Sequence, residues 1–308
     1  MSHQYQPASS GAPSGLTIHR LDSVEELILA QSTSQCCRSC CCQKSINWVI
    51  SEQDRFEVGT DPFHLPTTGW IHEESSFSGR CWSWLLPGCR EVKYVQHHGT
   101  VPTSLTQENA DWCTCQTDRL PMDLSVEDSQ SNIVATHEKK QTCGYCFKFG
   151  DITFPICNCF PLPYLVTKTT NGSVVGHTRY VCDECLCVPK FDVFDASGNK
   201  KFRVRPDVCF MGCCIQCRCD SGKKCLRVPF VVRDPNTLEP IESAKVGDKE
   251  TRNAKIDSLW TGWKNACCSM KDAYHVVYPA RLSAEDKLLL TGSGLLIDLT
   301  MFEQKQDD

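Results

Sequence analysis

From Leu288 to Phe302 the chain carries one charge, Asp298, and places apolar side chains at Leu288, Leu289, Leu290, Leu295, Leu296, Ile297, Leu299, Met301 and Phe302. Set on a helix, these residues circle the axis instead of forming one stripe, the pattern of a helix enclosed on every side. Ser283, three residues ahead of Asp286, gives a capping-box-like start with Glu285 in the first turn, where the helix dipole favours it; a helix is expected over residues 283–303. Only ten uncharged residues separate Lys287 from Asp298, against roughly 20 apolar residues for a membrane span. The expected setting is a protein core that encloses Leu289, Leu290, Leu295, Leu296, Ile297 and Phe302. Thr291, Gly292, Ser293 and Gly294 weaken the helix by propensity and make sense where a surrounding wall comes close. A strand running into a dinucleotide-binding turn is the other reading of Leu-Leu-Leu-Thr-Gly-Ser-Gly; it fails because Ile297 holds the third glycine position and too little chain follows.

Elsewhere the pattern has period two. Ile46, Trp48 and Ile50 alternate with polar or smaller residues before a turn at Glu52–Asp54. Phe191 and Val193 share one face, Asp195–Asn199 turns the chain, and Phe202 and Val204 return opposite Arg203 and Arg205, which predicts an antiparallel hairpin over 190–205. The strand expected over 226–232 sets Arg227 and Arg233 outward, so several arginines line one outside surface, read either as a solvated face or as one that meets anionic lipid headgroups. Asn171-Gly-Ser173 reads as a turn. Residues 1–15 and 304–308 read as tails, and 99–142, polar and acidic with no sustained periodicity, as an insertion open to protein partners. Cys-Cys-x-x-Cys followed by a strand and a turn occurs at Cys36 and again at Cys213, a weak twofold internal repeat.

At 308 residues the chain suits one large β domain or two ordinary ones. Its net charge of −5 argues against a dedicated nucleic-acid binder while leaving room for local basic faces. The first residues have no basic and apolar regions of a signal peptide, and Ser2 stands where myristoylation needs glycine, so a non-secreted chain is expected. The 24 cysteines then need a use other than disulfides: acylation, metal binding or burial. Cys36, Cys37, Cys40, Cys41 and Cys42 suit acylation, since two or more lipid chains anchor a protein stably where one does not; metal binding and no role stay open for them. Cys143, Cys146, Cys157 and Cys159, and the close set Cys209, Cys213, Cys214, Cys217 and Cys219, have the thiol density of zinc sites, though not a standard spacing. Trp82, Trp84, Leu85 and Leu86 are read as a membrane-interface wedge or as core. No Walker sequence, Gly-x-Ser-x-Gly elbow or His-Glu-x-x-His occurs, no catalytic residue is assigned, and His97-His98 reads as a pair in an exposed turn.

These features together resemble the phospholipid scramblase family. The residues that carry the resemblance are Leu-Leu-Ile-Asp298-Leu-Thr-Met-Phe-Glu303, Trp260-Thr-Gly262, Val188-Pro-Lys-Phe191 and Cys36-Cys37-Arg-Ser-Cys40-Cys41, within about residues 15–303. The resemblance implies a mainly β, tubby-like fold: a closed antiparallel barrel of about twelve strands around the C-terminal helix. It also implies calcium-activated, ATP-independent, bidirectional movement of phospholipids between leaflets by a protein held by palmitoylation on the cytoplasmic face of a membrane, the plasma membrane above all. The family's calcium segment matches residues 270–281, where Asp272 alone is acidic and Lys271 and Arg281 add repulsion, so weak or absent calcium binding is expected. The other functional reading is a non-catalytic, membrane-peripheral scaffold that uses the barrel surface and the cysteine-rich hairpins.

Overall fold

The computed structural model describes residues 20–32, 46–57, 59–75, 91–102, 130–140, 146–149, 152–155, 162–181, 188–207, 228–245, 247, 250–259 and 272–302. Its strands are β1 (Glu26–Gln31), β2 (Trp48–Gln53), β3 (Gly69–Glu74), β4 (Val92–His98), β5 (Ile133–Lys140), β6 (Cys146–Phe149), β7 (Ile152–Pro155), β8 (Tyr164–Thr169), β9 (Val174–Val181), β10 (Lys190–Asp195), β11 (Lys200–Pro206), β12 (Val228–Arg233), β13 (Lys255–Leu259) and β14 (Ala273–Val277). Twelve of them close a barrel in the order β1-β14-β13-β12-β11-β10-β9-β8-β5-β4-β3-β2, each antiparallel to its neighbours, while β6 and β7 form a separate hairpin. Closure leaves no unpaired edge in the barrel, which removes a row of backbone groups that would otherwise recruit foreign strands.

Helix α1 (Ala284–Ile297) runs inside the barrel. Ser283 caps it, its hydroxyl accepting from the Asp286 amide at 3.2 Å. Leu288, Leu289, Leu290, Leu295, Leu296 and Ile297 are each at most 1% exposed, so the all-round apolar pattern is matched by strands on every side. At about 1.5–3 kcal/mol for burying such a side chain, these six dominate the local energetics. The α-helix expected to reach residue 303 instead ends at Ile297 and widens into a π turn over Asp298–Phe302. At that point Asp298 must be satisfied within an apolar interior, and its Oδ1 accepts from the Tyr274 hydroxyl at 2.9 Å. Leu299, Met301 and Phe302 stay buried beyond it.

The small residues of α1 have distinct reasons. Thr291 meets the Tyr278 hydroxyl at 2.8 Å and Ser293 meets that of Thr178 at 2.8 Å. A Cβ on Gly292 would stand 2.9 Å from both His137 Nδ1 and Thr167 Oγ1, so the wall does come close there. At Gly294 the nearest atom would be 3.7 Å away, ordinary contact.

The hairpin expected over 190–205 forms as β10 and β11, with Phe191, Val193, Phe202 and Val204 inward. Residues 133–140, read within the polar insertion, are the barrel strand β5. Alternation is hidden there because the inward position His137 is itself polar; its ring bonds Gln96 Oε1 at 3.0 Å and the Thr167 hydroxyl at 3.1 Å. Barrel tightness also shows at Gly176 of β9, where a Cβ would collide with the Phe194 carbonyl oxygen of β10. Gly176→Ala should therefore cost about 2 kcal/mol or more through strain of this strand pair. Thermal melting would register the loss, and an unchanged melting temperature would contradict the close approach.

Candidate functional site

The cysteines expected to be acylated (Cys36, Cys37, Cys40, Cys41 and Cys42), the thiols considered for zinc (Cys143, Cys157, Cys159, Cys209, Cys213, Cys214, Cys217 and Cys219) and the wedge Trp82, Trp84, Leu85 and Leu86 lie outside the described residues. Cys146 opens β6, opposite Pro155. Both copies of the repeated cysteine motif fall outside as well.

Asp272 immediately precedes β14. Its amide donates to Gln31 Oε1 at 3.1 Å and its carbonyl accepts from the Gln31 amide at 2.9 Å, which ties it to β1. Beyond it β14 turns Tyr274 and Val276 into the barrel and His275 outward. His275 Nε2 lies 2.8 Å from Glu26 Oε2 on β1, and its Nδ1 lies 3.8 Å from Asp257 Oδ2 on β13. Arg252 also contacts Glu26, and Lys255 Nζ stands 2.7 Å from Asp257. Burial pulls the Glu26 pKa up, yet the hydrogen bonds from His275 and the Phe56 amide, with the Arg252 charge, hold it below the usual carboxylate range. Burial pushes the His275 pKa down. The two carboxylates here are thus already compensated by cations of the chain itself. As a calcium position the described part of this segment offers one carboxylate, Asp272, where calcium takes six to eight oxygens, and the residues present do not fit such a site. Among the described residues no group of three or more His, Cys, Asp or Glu side chains is placed to hold a metal ion.

His97 and His98 are not in an exposed turn; they end strand β4, and His97 is 1% exposed. Its ring lies flat on Trp70 of β3, centroids 3.7 Å apart, because Trp70 and His97 are direct cross-strand partners. His97 Nε2 meets His72 Nδ1 at 3.0 Å, and its Nδ1 donates to the Ser131 carbonyl. Burial pushes the His72 pKa down, against the pull of Glu74. Val92 and Tyr94 at alternate positions are the signal that could have found this strand; nothing local to the pair pointed to Trp70.

Outside the barrel the register lines up a row of side chains across six adjacent strands. Lys140 of β5 faces Tyr164 of β8, Tyr164 faces Arg179 of β9, Arg179 faces Asp192 of β10, Asp192 faces Arg203 of β11, and Arg203 faces Arg233 of β12. Asp192 accepts from two guanidinium nitrogens of Arg203, Nε at 2.7 Å and Nη2 at 2.9 Å, and Lys200 Nζ lies 2.7 Å from it. Arg203, Arg205 and Arg233 were expected outside; Arg179, Asp192 and Lys140 join them only through strand order.

A closed twelve-stranded antiparallel barrel filled by its own C-terminal helix, with a cationic outer row, is thus the class of protein defined here. The chain is 24% identical over 200 residues to phospholipid scramblase 1 of Mus musculus, covering 64% of this chain and 50% of that protein, and 24% over 200 residues to the Rattus norvegicus protein of the same name, covering 64% and 49%. It is 24% identical over 180 residues to phospholipid scramblase family member 5 of Homo sapiens, covering 58% of this chain and 54% of that one. The chain spans about half the length of these curated relatives. No family model and no solved structure matches it. The chain is thus similar to proteins named phospholipid scramblase.

Proposed function

We propose that the protein acts at phospholipid membranes as a scramblase-like protein, in ATP-independent, bidirectional movement of phospholipids between leaflets or in a lipid-responsive role. The observation that carries this reading is the similarity over 200 residues to proteins named phospholipid scramblase, joined to a barrel that encloses the terminal helix. Among the described residues no helix is long and apolar enough to cross a membrane. Attachment is proposed through acylation of Cys36, Cys37, Cys40, Cys41 and Cys42 on the cytoplasmic face, where two or more chains suffice for stable anchoring. Calcium activation is proposed to be weak or absent at Asp272, which lacks the further oxygens such an ion takes.

One observation favours the scaffold reading beside it: the barrel interior is packed against α1, with residues 287–302 all buried, so the described residues open no polar path for a headgroup. Liposomes with a fluorescent lipid in both leaflets separate the two. Scrambling carries the loss of fluorescence on adding an impermeant reductant past the outer-leaflet share, with or without calcium. A plateau at that share in both conditions leaves the scaffold.

A further inference from the structure

We propose that the outer face of β9 to β12 is the surface through which the protein meets the phosphates of anionic phospholipid headgroups, an inference that rests on the membrane reading above. Outward positions of these four strands carry five cationic side chains that are at least partly exposed, Arg179, Lys200, Arg203, Arg205 and Arg233, with Lys190 and the one carboxylate, Asp192, buried among them, on a chain whose net charge is −5. The positive charge is therefore gathered on one face against the sign of the whole. Arg203 and Arg233 stand directly opposite each other, an arrangement of like charges that costs energy by itself and is relieved by an anion above it. Arg203 is pre-oriented by Asp192, which Lys200 also contacts. Arg179 is exposed at the middle of the row.

The chemistry of the row selects phosphate. A guanidinium presents a planar fork that pairs two phosphate oxygens at once; Arg179 carries such a fork exposed on a rigid strand, beside the charges of Arg203 and Arg233. With strands about 4.8 Å apart, the row from Lys140 to Arg233 extends for about 24 Å around the barrel, so it reaches several headgroups rather than one. Tyr164, within the row, belongs to the side chains that settle at the headgroup boundary. A membrane fits better than a nucleic acid. The turns at one end of these strands carry Asp195 and Asp234, which a rigid polyanion laid along the strands would have to pass, whereas lipids rearrange laterally and gather where the cations are.

The test uses the full chain with vesicles of phosphatidylcholine alone, with phosphatidylserine added, and with a phosphoinositide added. The expected result is binding to the anionic vesicles above the neutral ones, lowered about 30-fold by Arg179→Gln with Arg233→Gln, at roughly 1 kcal/mol for each cation at such a surface. Arg233 also donates to the Leu238 carbonyl, so Arg179→Glu, the same change in charge at an exposed position, serves as the second variant. Lys93→Gln with Arg55→Gln, elsewhere on the molecule, should leave binding unchanged. A stronger effect with the phosphoinositide assigns the phosphomonoester, and equal effects assign the phosphate shared by both lipids. Variants that bind anionic vesicles as the wild type does overturn this surface while the membrane reading stands. A wild type that binds no vesicle overturns the membrane reading itself. Preferential binding of duplex DNA, lost in the same variants, would reassign the face to nucleic acid.

Discussion

Acidification from pH 6.5 towards 3 should remove about 4–5 kcal/mol of folding stability through His137 alone. The ring lies inside the barrel, 0% exposed, between Gln96, Thr167 and the backbone of α1 at Gly292. Because Gln96 offers its carbonyl oxygen, the proton sits on Nε2, and Nδ1 accepts from the Thr167 hydroxyl; a second proton on Nδ1 would require that hydroxyl to turn and would place a charge in the barrel interior. Burial pushes the pKa from 6.5 down to about 3. The unfolded chain takes up its proton near 6.5 while the native chain resists to about 3, so between these values the unfolded state binds more protons and stability is lost as the pH is lowered. His72, His177 and His275 are also pushed down by burial and add in the same direction. Glu26, Glu74 and Glu138, whose pKa values are lowered, give stability that is present above 4.5 and lost below it. Urea unfolding at pH 7, 6, 5 and 4 measures the slope. Against wild type, His137→Gln should start lower at pH 7 and fall less steeply, by up to about 1.4 kcal/mol per pH unit. Equal slopes in both proteins would remove His137 as the source.

What the sequence revealed and what it hid divide along one physical line. Elements whose inward positions are apolar announced themselves: α1 by apolar residues all round, β10 and β11 by Phe191, Val193, Phe202 and Val204 at alternate positions. Elements whose inward positions are polar did not. Strand β5 places His137 inside and Glu138 and Lys140 outside, and only partners from β4 and β8, far along the chain, make the inner position tolerable. His97, on the outer face of β4, likewise depends on Trp70 and His72, brought to it by the β3–β4 register. The outer row was half legible: alternation set Arg203 and Arg233 outward, but their alignment with Asp192 and Arg179 depends on which strands lie side by side. Charge at a single position says little about a surface until pairing places it beside others. Lys287 is the sharpest instance, since it reads as the polar boundary of the apolar run and is in fact 2% exposed.

Replacing Lys287 by Met should cost about 3 kcal/mol, because it removes three hydrogen bonds from a buried ammonium to backbone carbonyls, two of them buried. The Nζ atom donates to the carbonyls of Leu21, at 3.0 Å, Asp22, at 2.8 Å, and Val24, at 2.8 Å. An ammonium has three protons, so each is spoken for. The three acceptors belong to the 3-10 turn Arg20–Ser23 and the residue after it, which lead into β1, so this one side chain joins the start of the described chain to the first turn of the helix near its end. Methionine keeps most of the stem volume, which restricts the loss to the polar end of the side chain. Lys201→Met is the matched control, since it breaks only the more exposed pair with Asp286, at 3.2 Å, and should cost under about 1 kcal/mol. Hydrogen exchange gives the local readout: in Lys287→Met the amides of residues 21–24 and the first turn of α1 should exchange faster, while those of β10 and β11 follow only the global loss. If the urea midpoint and the exchange at residues 21–24 both stay at wild-type values, Lys287 does not hold these segments together, and the helix is retained in the barrel by apolar contact alone.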